Sequence, residues 1–113
     1  MTLLQLTFFI FLALALGGVL MACLILLKYR VPRALSNGHG LLALVALAIF
    51  LAANLTADNG ALAWWAFGVL AAGFLGGGFL FRFLFRDRAP IKLIAGHAAL
   101  GVTGLALLGL SAF

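Results

Sequence analysis

The chain contains two histidines, His39 and His97, which lie 58 positions apart in similar surroundings. Each follows a proline by seven residues, and these prolines, Pro32 and Pro90, are the only two in the chain. Imidazole exchanges protons near neutral pH and is the commonest protein ligand for metals. Two such side chains at the same spacing from a proline predict a pair of equivalent positions with a shared chemical role.

The similarity extends beyond the histidines. Residues 28–39 align with residues 86–97, and five of these twelve positions are identical. We therefore predict a tandem duplication within a single membrane domain, residues 1–113, with repeat 1 at about 1–58 and repeat 2 at about 59–113. Further identical pairs at the same shift are Phe9/Phe67, Leu12/Leu70, Ala13/Ala71, Gly18/Gly76, Leu42/Leu100, Leu47/Leu105 and Ala48/Ala106.

The composition indicates a lipid environment. Apolar residues make up 67% of the chain, charged residues make up 8%, and the mean hydropathy is +1.33, outside the range of water-soluble domains. Each of four apolar stretches, near residues 3–27, 34–55, 61–85 and 91–113, has about the 20 residues that a membrane-spanning helix needs. The stretches are continuously apolar rather than alternating, and an open sheet could not satisfy its backbone in lipid. These features predict an all-α integral membrane protein with four transmembrane helices.

The basic residues predict the orientation of these helices. All seven lie at the connections between helices 1 and 2 and between helices 3 and 4, and cytoplasmic loops are enriched in such residues. Both termini are then non-cytoplasmic, and the expected location is a bacterial inner membrane. The net charge of +5 is a topology signal and an attraction for anionic membrane lipid, not a nucleic-acid footprint. The seven are Lys28, Arg30, Arg33, Arg82, Arg86, Arg88 and Lys92.

The duplication predicts how the helices pack. Each repeat holds two helices, so both copies enter the membrane in the same direction and are related by a pseudo-twofold axis along the membrane normal. Short connections favour an up-down-up-down bundle in which helices 2 and 4 face each other diagonally. His39 and His97 then lie at the same depth, roughly 8 to 9 Å into the membrane at 1.5 Å per residue.

Two explanations account for histidines in hydrocarbon, where polar side chains are costly. Each histidine could donate a hydrogen bond across a helix, or the symmetric pair could supply two axial ligands to a metal on the axis. Zinc usually takes four ligands, and the two histidines supply only two. No Asp or Glu lies nearby to complete the set. Cys23 is expected to be a small buried residue rather than a ligand. Haem iron takes four ligands from the porphyrin and accepts imidazole as axial ligand. The second explanation therefore predicts one haem b with His39 and His97 as iron ligands, held non-covalently because no Cys-x-x-Cys-His motif is present.

Small residues follow each histidine at helical spacing. Ala43 and Ala46 lie below His39, and Gly101 and Gly104 lie below His97. A flat macrocycle that lies against the helix would need the space that these small side chains leave, so all four are candidate cofactor contacts. The same pattern serves close helix packing, and both interpretations stay open. Glycines of the third helix, Gly73 and 76–78, add to the small residues at a neighbouring depth.

Two arginines are candidate partners for haem propionates. Arg88 lies on the second basic connection, where the positive-inside bias alone would also account for it. Arg82 lies a turn deeper than Arg86, so its guanidinium must extend to the surface or pair with an anion.

The helix opening from His97 to Gly101, a His-x-x-x-Gly pattern, resembles the cytochrome b561-type membrane proteins, with a weaker match from His39 to Ala43. The resemblance implies transmembrane histidines that ligate b haem and an electron carrier rather than a stand-alone enzyme. A quinone or a neighbouring redox subunit would be the electron partner. That family commonly carries further histidines and two haems, whereas this chain has histidines for one site only.

The alternative is a supernumerary structural or accessory subunit of a larger respiratory or photosynthetic complex, without its own cofactor. The aromatic-rich third helix would offer a surface to lipid, to other membrane subunits or to a second copy in a homo-oligomer. A small transporter is disfavoured because the only two carboxylates, Asp58 and Asp87, lie at helix ends. The aromatic residues are Phe74, Phe79, Phe81, Phe83 and Phe85.

The charge distribution gives the first testable prediction. A topology reporter fused after Phe113 should read non-cytoplasmic, and the same reporter inserted between Arg30 and Arg33 should read cytoplasmic, because basic connections are retained inside. Activity of paired alkaline phosphatase and fluorescent protein fusions measures this. The opposite result at both sites would reverse the orientation.

Overall fold

Four long helices form the chain in a computed structural model that describes residues 1–85 and 88–113. No strand occurs in these two ranges. Arg86 and Asp87, which belong to the second basic connection, lie outside the described residues. The helices are α1 (Leu3–Leu26), α2 (Arg33–Thr56), α3 (Gly60–Gly78) and α4 (Ile91–Ala112), and a π-helical segment (Phe79–Leu84) continues α3.

The all-helical prediction is confirmed. The observed helix bounds lie within two residues of the predicted ones, except at the end of α3, where the helix widens before it stops. With the π-helical segment counted as part of the third helix, all four have 22 to 25 residues and are apolar enough to cross a membrane.

Local sequence sets the helix starts. Thr2 and Gln5 form a capping box at α1, in which each side chain accepts a hydrogen bond from the other residue's backbone N–H. Pro32 and Pro90 precede α2 and α4, and their carbonyls accept the first helical hydrogen bonds. A proline therefore stands at the start of the second helix and of the fourth helix.

The helices pack as a ring in which each one contacts its two neighbours. The contacts are α1 with α2, α2 with α3, α3 with α4 and α4 with α1, while the two diagonal pairs hardly meet. The bundle is about 44 Å long and 23 by 22 Å across. Helices α2 and α4 are therefore diagonal, as predicted, and the most extensive contacts lie within the two halves of the chain.

The packed core occupies one half of the bundle. The end of the bundle in that half holds both termini and the α2–α3 connection, and we call it the opposite end. The α1–α2 and α3–α4 connections lie at the other end of the bundle, which we call the basic end. Small alanines on α2 and α3 allow a close approach of the helices around a few large side chains. The completely buried side chains are Thr7, Ala46, Phe50, Ala63, Ala66 and Leu108.

Polar groups in this core have partners. The Asn54 side-chain amide donates to the Ala63 carbonyl at 3.4 Å and accepts from the Asn59 side chain at 3.2 Å. The Thr7 hydroxyl donates to the Leu3 carbonyl one turn earlier at 2.8 Å. Buried polar groups are costly when unpaired, so these bonds let the opposite end close tightly.

The expectation that Cys23 is buried is wrong. Its side chain is exposed on the outer face of α1. A continuously apolar helix gives no periodic signal of which face turns inward, so burial could not be assigned from the residue type alone.

Two glycines of α4 give a matched pair of variants. A Cβ at Gly104 would lie 2.5 Å from Leu70 Cγ, whereas one at Gly101 would meet nothing within 4 Å. Gly104→Ala should destabilise the bundle by about 1 to 3 kcal/mol, because buried Leu70 has to move. Gly101→Ala should be neutral or stabilising, because alanine is the better helix former. Thermal aggregation of the purified variants measures both effects, and equal stability of the two would contradict the packing described.

Candidate functional site

His97 packs directly onto α3. The residue is half-buried, and its ring lies so close to Gly77 that a Cβ there would sit 2.5 Å from Cε1 and 2.9 Å from Nδ1. Phe81 contacts the ring edge-to-face, with a centroid distance of 5.1 Å and an interplanar angle of 78°. The imidazole is therefore held between Gly77 and an aromatic side chain.

His39 packs onto α1 in a similar way. It is also half-buried, and Cβ atoms placed at Gly17 and Gly18 would lie 3.7 Å from Nδ1 and 3.6 Å from Cε1. These are ordinary contact distances, so the ring is held less tightly than that of His97. Each histidine thus rests on glycine in the first helix of its own half of the chain.

The two imidazoles lie at matching levels of the bundle. Each is the seventh residue of its helix, so both lie in the second helical turn from the basic end. Their glycine contacts are offset at the shift of 58 residues, because Gly18 aligns with Gly76, whereas His97 rests on Gly77. The structure therefore brings the predicted pair to one end of the bundle, each ring against a neighbouring helix.

One nitrogen of His97 has no described partner. Nδ1 is buried, and no hydrogen bond reaches it from the residues that the structure describes. A neutral imidazole carries one donor and one acceptor nitrogen, and leaving either unpaired in a buried site costs about 1 to 3 kcal/mol. A buried imidazole with this unmet demand is a candidate ligand for a bound group.

The four small residues predicted as cofactor contacts differ in burial according to their depth in the bundle. Ala43 and Gly101, one turn below the histidines, are half-buried, and the space next to Gly101 is open. Ala46 and Gly104, almost two turns below, are buried, and Leu70 packs against Gly104. Close helix packing therefore accounts for the deeper pair, and only the upper pair adjoins the less filled half of the bundle.

The two candidate arginines lie in different settings. Arg82 Nη1 donates to Asn37 Oδ1 at 2.5 Å and thereby joins the π-helical segment to α2. Its partner is thus a neutral amide at an exposed position. Arg88 lines a cleft at the basic end together with Lys28 and Arg30.

The π-helical segment is the main feature that the sequence analysis missed. The Phe85 N–H donates to the Leu80 carbonyl at 2.8 Å, five residues earlier, which widens the turn. Such widening rotates the residues that follow and is frequent at functional sites. Here it carries Phe81 to His97 and Arg82 to Asn37. The glycines at 76–78, which weaken α-helical preference, were the available signal.

The donor atoms restrict what the site could hold. Within the described ranges, no three His, Cys, Asp or Glu side chains come together in a group able to hold a metal ion. Two imidazoles alone fall short of zinc's usual four ligands.

The fold and the site define a four-helix bundle whose helices are long and apolar enough to span a membrane, with an equivalent pair of histidines near its basic end. Comparison with known protein families, curated proteins and solved structures finds no match to this chain.

The Gly77 contact can be tested without any cofactor. Gly77→Ala should displace the His97 ring, because the new Cβ would overlap Cε1, whereas Gly78→Ala should not, since a Cβ there meets nothing within 4 Å. Spectra of protein labelled with ¹³C-histidine should show a shifted His97 ring signal in the first variant and an unchanged one in the second. An unmoved signal in Gly77→Ala would show that the ring does not lie on α3.

Proposed function

We propose that this protein is a membrane b-type cytochrome that binds one non-covalent haem b through His39 and His97. It passes electrons to or from a quinone or a partner redox subunit. One observation carries the proposal: each half of the chain contributes a half-buried imidazole at the same helix position, and each imidazole rests on glycine.

The chemistry of the two side chains supports haem over other groups. Neutral imidazoles from two diagonal helices provide two nitrogen donors, and a bound haem would supply a one-electron redox centre. Among the described residues Nδ1 of His97 has no hydrogen-bond partner, so this nitrogen is free there to bond a further group. The glycines at 17, 18 and 77 let both rings approach the neighbouring helix backbone.

The packing restricts which small residues could border the haem. Gly101 adjoins open space, and Ala43 lies at the edge of the core. Core side chains fill the level of Ala46 and Gly104, so haem contact with those two would require the core to open. We assign the contacts to Ala43 and Gly101 and attribute the deeper pair to helix packing.

The basic end offers arginine side chains that could pair with the propionates of haem. Arg82 is exposed and hydrogen-bonded only to the neutral Asn37 among the described residues, so its charge is available to a propionate. Arg88 is exposed at the same end. In the proposed topology this end faces the cytoplasm of a bacterial cell and the two halves are tandem repeats.

Electron transfer across the whole membrane would need a further partner. A single centre close to one face cannot span roughly 30 Å of hydrocarbon alone. A quinone dissolved in the bilayer, or a redox subunit docked on the exposed helix surfaces, would complete the path. The protein is therefore proposed as an electron carrier within a larger membrane assembly.

The decisive experiment is optical spectroscopy of the full chain, purified in detergent from haem-replete cells. The spectrum of dithionite-reduced minus oxidised protein should show low-spin b haem. His39→Ala and His97→Ala should each abolish this signal or convert it to high spin, because either change removes one axial ligand. Added imidazole should restore part of the low-spin signal.

Ser36→Ala and Thr103→Ala are matched controls, since they remove exposed polar groups from the same two helices. Both should keep the full haem content. A folded, colourless wild-type protein would refute the cytochrome proposal and favour the accessory subunit, in which the histidines serve packing alone.

A further inference from the structure

A basic cleft opens where the two basic connections meet. It has a volume of about 330 Å³ and combines residues from the end of α1 and the α1–α2 connection with one from the α3–α4 connection. Neither histidine lines it, and Arg88 is the one lining residue that the proposed function also considers, as a partner for a haem propionate. The lining residues are Ile25, Lys28, Tyr29, Arg30 and Arg88.

The backbone at the end of α1 builds one wall of this cleft. The Lys28 N–H donates to the Ile25 carbonyl and the Tyr29 N–H donates to the Leu24 carbonyl, the two bonds of a Schellman motif. Lys28 occupies the left-handed position of this motif with φ of 61°, where glycine is usual. The chain thus holds a cationic side chain at a position where glycine would relieve backbone strain.

The charge of the cleft is strongly positive in the described part of the chain. Three cations line it, and no ion pair involving Lys28, Arg30 or Arg88 is formed by the described residues. The chain has two carboxylates: Asp58 lies at the opposite end of the bundle, and Asp87 is outside the described residues. A phosphate would therefore meet lysine and arginine donors, which bind phosphate through charge-assisted hydrogen bonds.

The surroundings of the cleft favour a lipid as the source of that phosphate. Ile25 forms its apolar wall, and the adjacent Leu26 and Leu27 are 56% and 67% exposed along the end of α1. Tyr29 adds an exposed aromatic ring of the kind that lies at membrane interfaces. A free phosphate would use the cations only, whereas a phospholipid would also cover the exposed leucines with an acyl chain.

We propose that this cleft binds the phosphate of an anionic phospholipid, with Lys28, Arg30 and Arg88 as its ligands. The inference rests on the proposed membrane location but not on the haem. It differs from a general attraction between basic residues and anionic membranes, because it assigns the interaction to three particular side chains.

The test titrates phosphatidylglycerol into mixed micelles of the purified full chain and follows its thermal aggregation temperature. The wild type should be stabilised by phosphatidylglycerol and not by phosphatidylcholine of the same chain length. Lys28→Gly should raise the lipid concentration at half-maximal stabilisation about fivefold, as expected for loss of one cation near an anionic surface. Its stability without lipid should not fall, because glycine suits the left-handed backbone.

Lys92→Gln is the control for charge alone, since Lys92 lies at the same end of the bundle but does not line the cleft. It should change the midpoint less than twofold, whereas Arg30→Gln and Arg88→Gln should follow Lys28→Gly. Equal effects of Lys92→Gln and Lys28→Gly would overturn the proposal. Equal stabilisation by phosphatidylcholine or by inorganic phosphate at the same concentration would also overturn it.

Membrane fractionation of the expressed chain separates this inference from the proposal on which it rests. Membrane-bound protein without headgroup discrimination would refute the cleft assignment only. Recovery of the chain in the soluble fraction would refute the membrane location itself.

Discussion

The close contact between α3 and α4 is the constraint on which the rest of the structure depends. Along this seam Leu70 packs against Gly104, Leu100 lies next to Gly73, and the His97 ring lies on Gly77. In each case the glycine has no side chain and so leaves room for a side chain of the other helix. The same seam therefore stabilises the bundle through packing at the opposite end and holds the His97 ring near the basic end.

The bundle divides this work along its length. At the opposite end, alanines and large side chains fill the interior and buried polar groups are paired, as the bonds of Asn54 show. Toward the basic end, half-buried histidines, open space at Gly101 and a cleft between the connections replace this packing. Because the opposite end is tightly packed, the helices stay together without a ligand. The less tightly packed basic end is then suited to holding one.

The two halves of the chain are similar in their middle and different at one helix end. Helix α1 stops in a Schellman motif with Lys28 in the left-handed region, whereas α3 widens into the π-helical segment. The difference matters at the site, because only His97 acquires an aromatic neighbour, Phe81, and the tighter glycine contact. In the proposed tandem repeat, the histidines would thus be equivalent in position but not in environment.

The helices could be predicted from the sequence, because a backbone surrounded by apolar side chains must satisfy its own hydrogen bonds, and Pro32 and Pro90 mark where α2 and α4 begin. It also singled out His39 and His97, since their equal spacing from Pro32 and Pro90 is visible without coordinates. The packing of the helices, which the sequence did not reveal, sets which glycines each ring meets, places Ala46 and Gly104 in the core, and turns Cys23 outward. Nearly uniform hydrophobicity around each helix carries no record of its inward face, so these assignments depend on how one helix fits against the next.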